Sequence, residues 1–298
     1  MKINEKTINY QSVIEDNFLI KNKQGKIVPF IFWNVQDRYY VELENHYGNS
    51  LEGVRDIILK ARKEGFSALI LAMFTVDFIF SPDPIASVSI SDTKDETQKL
   101  LSRARFYVES FAKKNNRDLF DICDTSNKNA MINKISGASF WIGTAGSKVA
   151  LRTETVQNLH FSEGAHFPDT DIITARETYE GAQQMVEQGT GKIFDESTAR
   201  GYGNQYQKRW AQASEGVSIF RPVFFAASDF YTHDWLKKKR GEFTTEEMYM
   251  QEYPESPEEA FISSGSKFFD TAAIRHLREK VSRRPVQQGE LSYGGKFV

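Results

Sequence analysis

The stretch Gly191-Lys-Ile-Phe-Asp-Glu-Ser-Thr-Ala-Arg-Gly-Tyr-Gly-Asn-Gln-Tyr206 decides how this chain reads. It carries the apolar β-formers Ile193 and Phe194 into a polar turn beginning at Asp195. Two earlier segments repeat the pattern: Leu59-Lys-Ala-Arg-Lys-Glu-Gly-Phe-Ser67 and Asn158-Leu-His-Phe-Ser-Glu163. Each runs from buried-type residues into glycine, hydroxyl, basic or acidic side chains suited to phosphate. In an open parallel sheet, ligands bind outside the carboxyl ends of the strands. Three such ends can therefore assemble a phosphate cradle, a water-activating carboxylate and coupling residues along one edge. No motif is strong alone; the ordered triplet carries the reading.

The surrounding pattern predicts an α/β sheet with helices on both faces. Asn17 to Trp33 reads as a hairpin turning at Lys21–Gly25, and Val35 to His46 has helical spacing. Asp56–Leu59 is a short buried-type strand, followed by an apolar helix from Ser67 to Phe80. Ala86–Ile90 alternates as a strand, and Ser91-Asp92 are expected to cap a long helix from Thr93 to Lys114. Met131–Ile135 and Ser139–Thr144 form a hairpin pattern around Ser136-Gly137. Strands follow at Val156–Phe161, Lys192–Phe194 and Arg221–Phe225, with helices over Thr170–Gln188 and Asn204–Ala213. After about residue 229 the chain is charged and weakly periodic, and Pro254 and Pro257 break long elements. This divides the sequence into a core over 1–229 and a small lid or linker over 230–298, whose tail reads as a connector.

Composition limits the function classes. A hydrophobic content of 40% with 23 Phe supports a sizeable core. The formal net charge of −2 provides no global basic field, so any nucleic-acid contact must come from a local patch or from several subunits together. The single cysteine, Cys123, permits no internal disulfide and no cysteine zinc cluster, as expected in a reducing cytoplasm. The start lacks a signal-peptide core. The longest apolar run, Ala68 to Phe80, contains Asp77 and is too short for a bilayer. The expectation is a soluble intracellular protein with no membrane partner.

In the first segment, the backbone amides from Glu64 through Ala68 are placed to form an anion nest at a helix N-terminus. Phe66 occupies the place where a phosphate loop usually has lysine, leaving Lys60 or Arg62 to supply the charge, with Lys63 beside them. Ser67 would hold magnesium through its hydroxyl. An ordinary strand–turn–helix with solvated basic residues fits the same letters. In the second segment Glu163 is suited to polarise an attacking water, though a carboxylate after an apolar strand is commonly a cap. In the third, Ser197 and Thr198 can sense a γ-phosphate, or Asp195 or Ser197 can cap the next helix. Gln36 before a helix can read an adenine edge or simply face water. Arg152 has a surface ion pair as its simpler explanation. His160 and His166 flank Glu163 without zinc spacing, and that reading is set aside.

Together these residues resemble the ATPase domain of the large terminase subunit of tailed bacteriophages. The resemblance runs through Gln36, Ile58-Leu-Lys-Ala-Arg62 with Gly65-Phe-Ser67, Val88–Asp92, Arg152-Thr-Glu-Thr155 and Leu159–Ala165. It continues through Glu196-Ser-Thr-Ala199, Gly201–Asn204, Arg221–Phe225, Gln251–Pro254, Pro257–Phe261 and Ser264-Gly265. The resemblance implies an ASCE-type P-loop NTPase fold that binds ATP and Mg2+ and drives double-stranded DNA into a procapsid. Gln36 would contact adenine, and Lys60 through Ala68 would serve as a deviant Walker A loop. Ser162 stands where the Walker B aspartate belongs and would reach Mg2+ through water, beside Ser67 and Glu163. Glu163 would be the catalytic glutamate, Ser197-Thr198 the coupling motif, and Arg152 a finger acting on a neighbour's ATP.

The same resemblance implies a homo-oligomeric ring when assembled, a monomer as the isolated domain, and portal protein and small terminase subunit as partners. It places the protein in the host bacterial cytoplasm, transiently at the procapsid portal. Family members also carry a C-terminal nuclease domain, which this sequence is expected to lack. Two other readings stay open: a helicase-like or other P-loop ATPase, against which the absence of a DEAD-type box counts, and a non-catalytic module that kept the fold.

Overall fold

A computed structural model describes residues 8–125, 127–147, 155–261 and 280–281. Helix α1 (Tyr10–Asn17) leads into the antiparallel hairpin β1 (Leu19–Lys21) and β2 (Ile27–Pro29), where Leu19 pairs with Pro29. Helix α2 (Asn34–Tyr47) then delivers the chain to β3 (Arg55–Lys60). Strand β3 is the first laid into an eight-stranded sheet. The others are β4 (Ala86–Ser91), β5 (Cys123–Asp124), β6 (Ala130–Asn133), β7 (Ser139–Thr144), β8 (Asn158–Ser162), β9 (Lys192–Ser197) and β10 (Arg221–Phe225). Their order is β10-β3-β9-β8-β4-β7-β6-β5. Every pairing from β10 to β7 is parallel, and only β6 and β5 run against the rest. Strand β9 lies between β3 and β8, so the three strands that carry the quoted segments are neighbours.

Alternation within β3 shows why the sheet is covered on both faces. Ile58 packs with α3 (Phe66–Phe80) and α4 (Lys94–Lys114), while Ile57 and Leu59 pack with α7 (Gln205–Ser214). On that second face, α6 (Ala175–Gln183) covers Leu159 and Phe161 of β8. Helix α3 has no polar face: Leu69, Ile70, Leu71, Ala72 and Phe74 are all fully buried. Its one acidic residue, Asp77, accepts from the Tyr10 hydroxyl (2.6 Å) and Asn158 Nδ2 (3.0 Å) and pairs with Lys192 Nζ at 2.8 Å. The helix is thus tied to the amino ends of β8 and β9. Among the described residues no helix is long and apolar enough to cross a membrane.

Several boundaries differ from the sequence reading. The cap of α4 is Thr93, whose Oγ1 accepts from Glu96 N–H at 3.3 Å; Ser91 and Asp92 belong to the strand end and the turn. Helix α6 is shorter than Thr170–Gln188, because Thr174 and Glu177 form a reciprocal capping box that starts it late. Most consequential, Asp195, Glu196 and Ser197 are in β9 and fully buried, not in a turn. Among the described residues the chain from Ala227 onward forms short helices: α8 (Ala227–Phe230), α9 (His233–Arg240), α10 (Glu246–Glu252) and α11 (Pro257–Ala260). Tyr231, Leu236, Tyr249 and Tyr253 pack with Ala61, and Ala260 packs with Trp210. These short helices belong to the same compact unit as the sheet.

Candidate functional site

Strands β3, β9 and β8 are neighbours, so Lys60, Ser197 and Ser162 end side by side at one edge of the sheet. After Lys60 the chain turns through two left-handed residues, Lys63 (φ 63°) and Gly65 (φ 83°), before entering α3. Glycine is required at 65: a Cβ there would sit 2.7 Å from Gln36 Nε2. The turn brings the first amides of α3 to the same edge as Lys60, the geometry of an anion nest.

Lys60 is the charge at the centre. It is 4% exposed, and its Nζ lies 2.8 Å from Glu163 Oε1 and 3.2 Å from Glu196 Oε2. Burial alone would lower the ammonium pKa, but Glu163 and Glu196 outweigh it and hold it above the usual lysine range. Arg62, the alternative source of charge, faces the other way. Its guanidinium pairs with Glu252 Oε2 at 2.8 Å, tying the loop to α10. Lys63 is exposed. Phe66 packs against Phe225 and Tyr39 with ring centroids at 4.7 and 5.5 Å, so the residue at the usual lysine place anchors the loop to the core.

Glu163 follows β8 in a left-handed conformation, φ 55° and ψ 49°. A side chain there costs about 1–2 kcal/mol, and such strain gathers at functional sites. Its own N–H donates to Glu196 O at 2.8 Å, while Thr198 N–H donates to its Oε2 at 3.1 Å and Ser197 Oγ lies 3.4 Å from that oxygen. Ser197 Oγ also accepts from Ala165 N–H. Gly164 lets the chain pass close to Tyr179, since a Cβ would collide with the Tyr179 hydroxyl. The carboxylate of Glu163 is one-third exposed. It therefore sits fixed by Lys60 and Thr198 yet open to water.

Gln36 does not present an adenine-reading edge. It is 2% exposed, its Oε1 accepts from Trp33 N–H and its Nε2 donates to Gly65 O at 2.9 Å. Its amide clamps the loop from below. Arg152 lies outside the described residues, as do Ser264 and Gly265. His160 is buried between Ser89 Oγ and Glu196 Oε1, each 3.3 Å away. Among the described residues no group of three or more His, Cys, Asp or Glu side chains is arranged as a metal site.

The residue that sequence reasoning missed is Glu196. It appeared only as the first residue of the stretch Glu196-Ser-Thr-Ala199, because an Asp-Glu pair after a short strand reads as turn. In the fold it is fully buried and accepts at Oε1 from Ser67 Oγ (2.6 Å) and Ser162 Oγ (3.0 Å). Burial favours its neutral form, yet Lys60, with His160 and Ser67, holds the carboxyl down to about 2. The alternation of β9, with Asp195 facing Arg209 and Tyr179, was the available signal.

Glu64 lies within the loop, its carboxyl buried with no well-formed hydrogen bond among the described residues. Burial, opposed by Lys60, pushes its carboxyl up to about 9. The folded protein keeps this proton at neutral pH, whereas an unfolded glutamate releases it at about 4.3. Stability carried by this group is therefore complete at low pH and declines as pH rises between those two values. Glu64→Gln mimics the protonated form. It should flatten the decline between about pH 5 and pH 9 and be more stable than the parent at the alkaline end. Urea melts across that range check it; parallel profiles for parent and variant would show that Glu64 is not held neutral.

Comparison with solved structures gives two informative matches. The large terminase ATPase domain of Thermus phage P74-26 superposes with a TM-score of 0.51 at 15% identity, over 70% of this chain and 89% of that one. The HK97 bacteriophage large terminase superposes with a TM-score of 0.61 at 15% identity. That match covers 83% of this chain and 54% of the HK97 protein, so this chain spans about half its length. No family model and no curated protein matches the sequence. At such identities the likeness is one of fold. The chain has the P-loop NTPase fold of phage large-terminase ATPase domains, the family its ordered motifs resemble.

Proposed function

We propose that the chain is the ATP-hydrolysing motor domain of a phage large terminase, acting on double-stranded DNA. The observation that carries this reading is the 2.8 Å contact between Lys60 and Glu163, which joins the phosphate-loop strand to the strand bearing the expected base. Lys60 neutralises phosphate charge, and the amides of residues 64–68 cradle the phosphate oxygens at the start of α3. Glu163 orients a water and takes its proton as the γ-phosphate is attacked. Ser197 and Thr198 hold the Glu163 carboxylate, so loss of that phosphate registers on β9.

Hydroxyl and carboxylate oxygens are the hard donors that Mg2+ prefers. Ser67 and Glu163 would hold it, and Ser162, expected to reach it only through water, donates its hydroxyl to Glu196. When bound, the ion supplies neutralisation of the charge on the terminal phosphates. Adenine recognition passes to groups other than Gln36, whose amide is already engaged. DNA contact is through phosphates and independent of sequence, made by several subunits of a ring, since one chain has almost no net charge. Portal protein and small terminase subunit are the partners this reading carries.

Phosphate release from labelled ATP, measured with and without double-stranded DNA of unrelated sequences, tests the proposal. Hydrolysis that rises with any such DNA, and falls as salt is raised, is the expected result. A chain that binds no ATP analogue and releases no phosphate at high protein concentration would instead be a non-catalytic module on this fold.

A further inference from the structure

We infer that Glu196, projecting from β9, supplies the magnesium-facing carboxylate that β8 lacks. The inference builds on the nucleotide-binding reading above and moves the carboxylate one strand sideways in the sheet. Ser162, which stands at the expected aspartate position, pairs in register with Glu196 on the adjacent parallel strand. Paired residues on neighbouring parallel strands point to the same face and lie about 4.8 Å apart. A carboxylate on β9 therefore reaches the space that one on β8 would fill.

The hydrogen bonds fit that role. Ser67 donates its O–H to Glu196 Oε1 at 2.6 Å, which turns the lone pairs of the Ser67 oxygen away from the carboxylate and leaves them for a cation. Ser162 donates to the same oxygen at 3.0 Å, and His160 Nε2 lies 3.3 Å from it. The serine thus holds the displaced carboxylate in place instead of replacing it. The second oxygen, Oε2, is fully buried, and among the described residues its polar neighbour is the Lys60 ammonium. That ammonium lies 3.2 Å away and is shared with Glu163. Burying an ionised carboxylate this way is costly, and well-packed uncharged residues serve a purely structural role as well or better. A divalent cation arriving with nucleoside triphosphate gives the charge a use. Glu196 shapes the water shell of that cation, and Ser67 ligates it directly.

The test uses the full chain, a fluorescent ADP analogue as probe, and Mg2+ titrated from EDTA upward. In the parent, nucleotide affinity should rise with Mg2+. In Glu196→Gln the Mg2+ needed for half the effect should increase about 10–100-fold, while binding in EDTA persists. Ser162→Asp combined with Glu196→Gln returns a carboxylate to β8 and should recover most of the metal dependence. A folded Glu196→Gln with the parent's Mg2+ dependence overturns the inference. So does a folded double variant with no recovery, which also decides the matter if the single variant does not fold. A parent that binds no nucleotide at any Mg2+ concentration refutes the nucleotide reading itself, which is a separate outcome.

Discussion

Glu163→Gln is expected to bind ATP as the parent does and to hydrolyse it about 10²–10⁴-fold more slowly. The geometry separates the two effects. Glu163 accepts from Thr198 N–H at 3.1 Å and from Lys60 at 2.8 Å, and its carboxylate remains one-third exposed to water. A glutamine keeps the length and one acceptor oxygen but cannot take a proton from water. Its backbone strain is unchanged, because the left-handed φ of 55° belongs to the position and not to the charge. Thermal stability should therefore move little, and nucleotide affinity should hold or rise because a negative charge leaves the phosphate site. Phosphate release and fluorescent-nucleotide titration on the same preparation read both quantities. Turnover within a few-fold of the parent would assign the base to another residue.

Lys60→Met should abolish measurable nucleotide binding and lower stability by about 3–5 kcal/mol. Methionine retains most of the apolar stem and removes the one ammonium lying between Glu163 Oε1 and Glu196 Oε2. Glu196 is then a buried charge whose close cation is gone, and that uncompensated carboxylate is the source of the loss. Adding Glu196→Gln to Lys60→Met should restore much of the stability and none of the nucleotide binding. Denaturant melts and nucleotide titrations separate the two roles. Undiminished nucleotide binding in folded Lys60→Met would mean that the phosphate charge is supplied from elsewhere.

Much of the architecture was legible because apolar periodicity fixes it. The β10 span Arg221–Phe225 agrees with the sequence reading residue for residue, and α2 and α3 begin within a residue of expectation. What failed has one physical origin: polar residues whose partners are remote in sequence. Asp195 and Glu196 look like turn residues until Arg209, Tyr179, Lys60 and Ser67 are brought against them. Gln36 looks solvated until Gly65 closes over it. Arg62 and Lys60 are equivalent on paper, and only the direction of the chain after β3 sends one to Glu252 and the other to Glu163. Local pattern reports which face is apolar; it cannot report where a buried charge finds its counter-charge.

Helix α3 is fastened to the sheet twice, at Ser67 to Glu196 and at Asp77 to Asn158 and Lys192. The two fastenings are about 15 Å apart along its axis at 1.5 Å per residue. A rod pinned at both ends and buried on every side acts as a diagonal brace, which stops a frame from shearing. The phosphate loop, mounted on the end of that brace, is a fixed abutment and not a hinge. On its other side the loop is held as well: Arg62 N–H donates to Glu252 O at 2.9 Å, the Tyr231 hydroxyl donates to Arg62 O at 2.7 Å, and Leu236, Tyr249 and Tyr253 pack with Ala61.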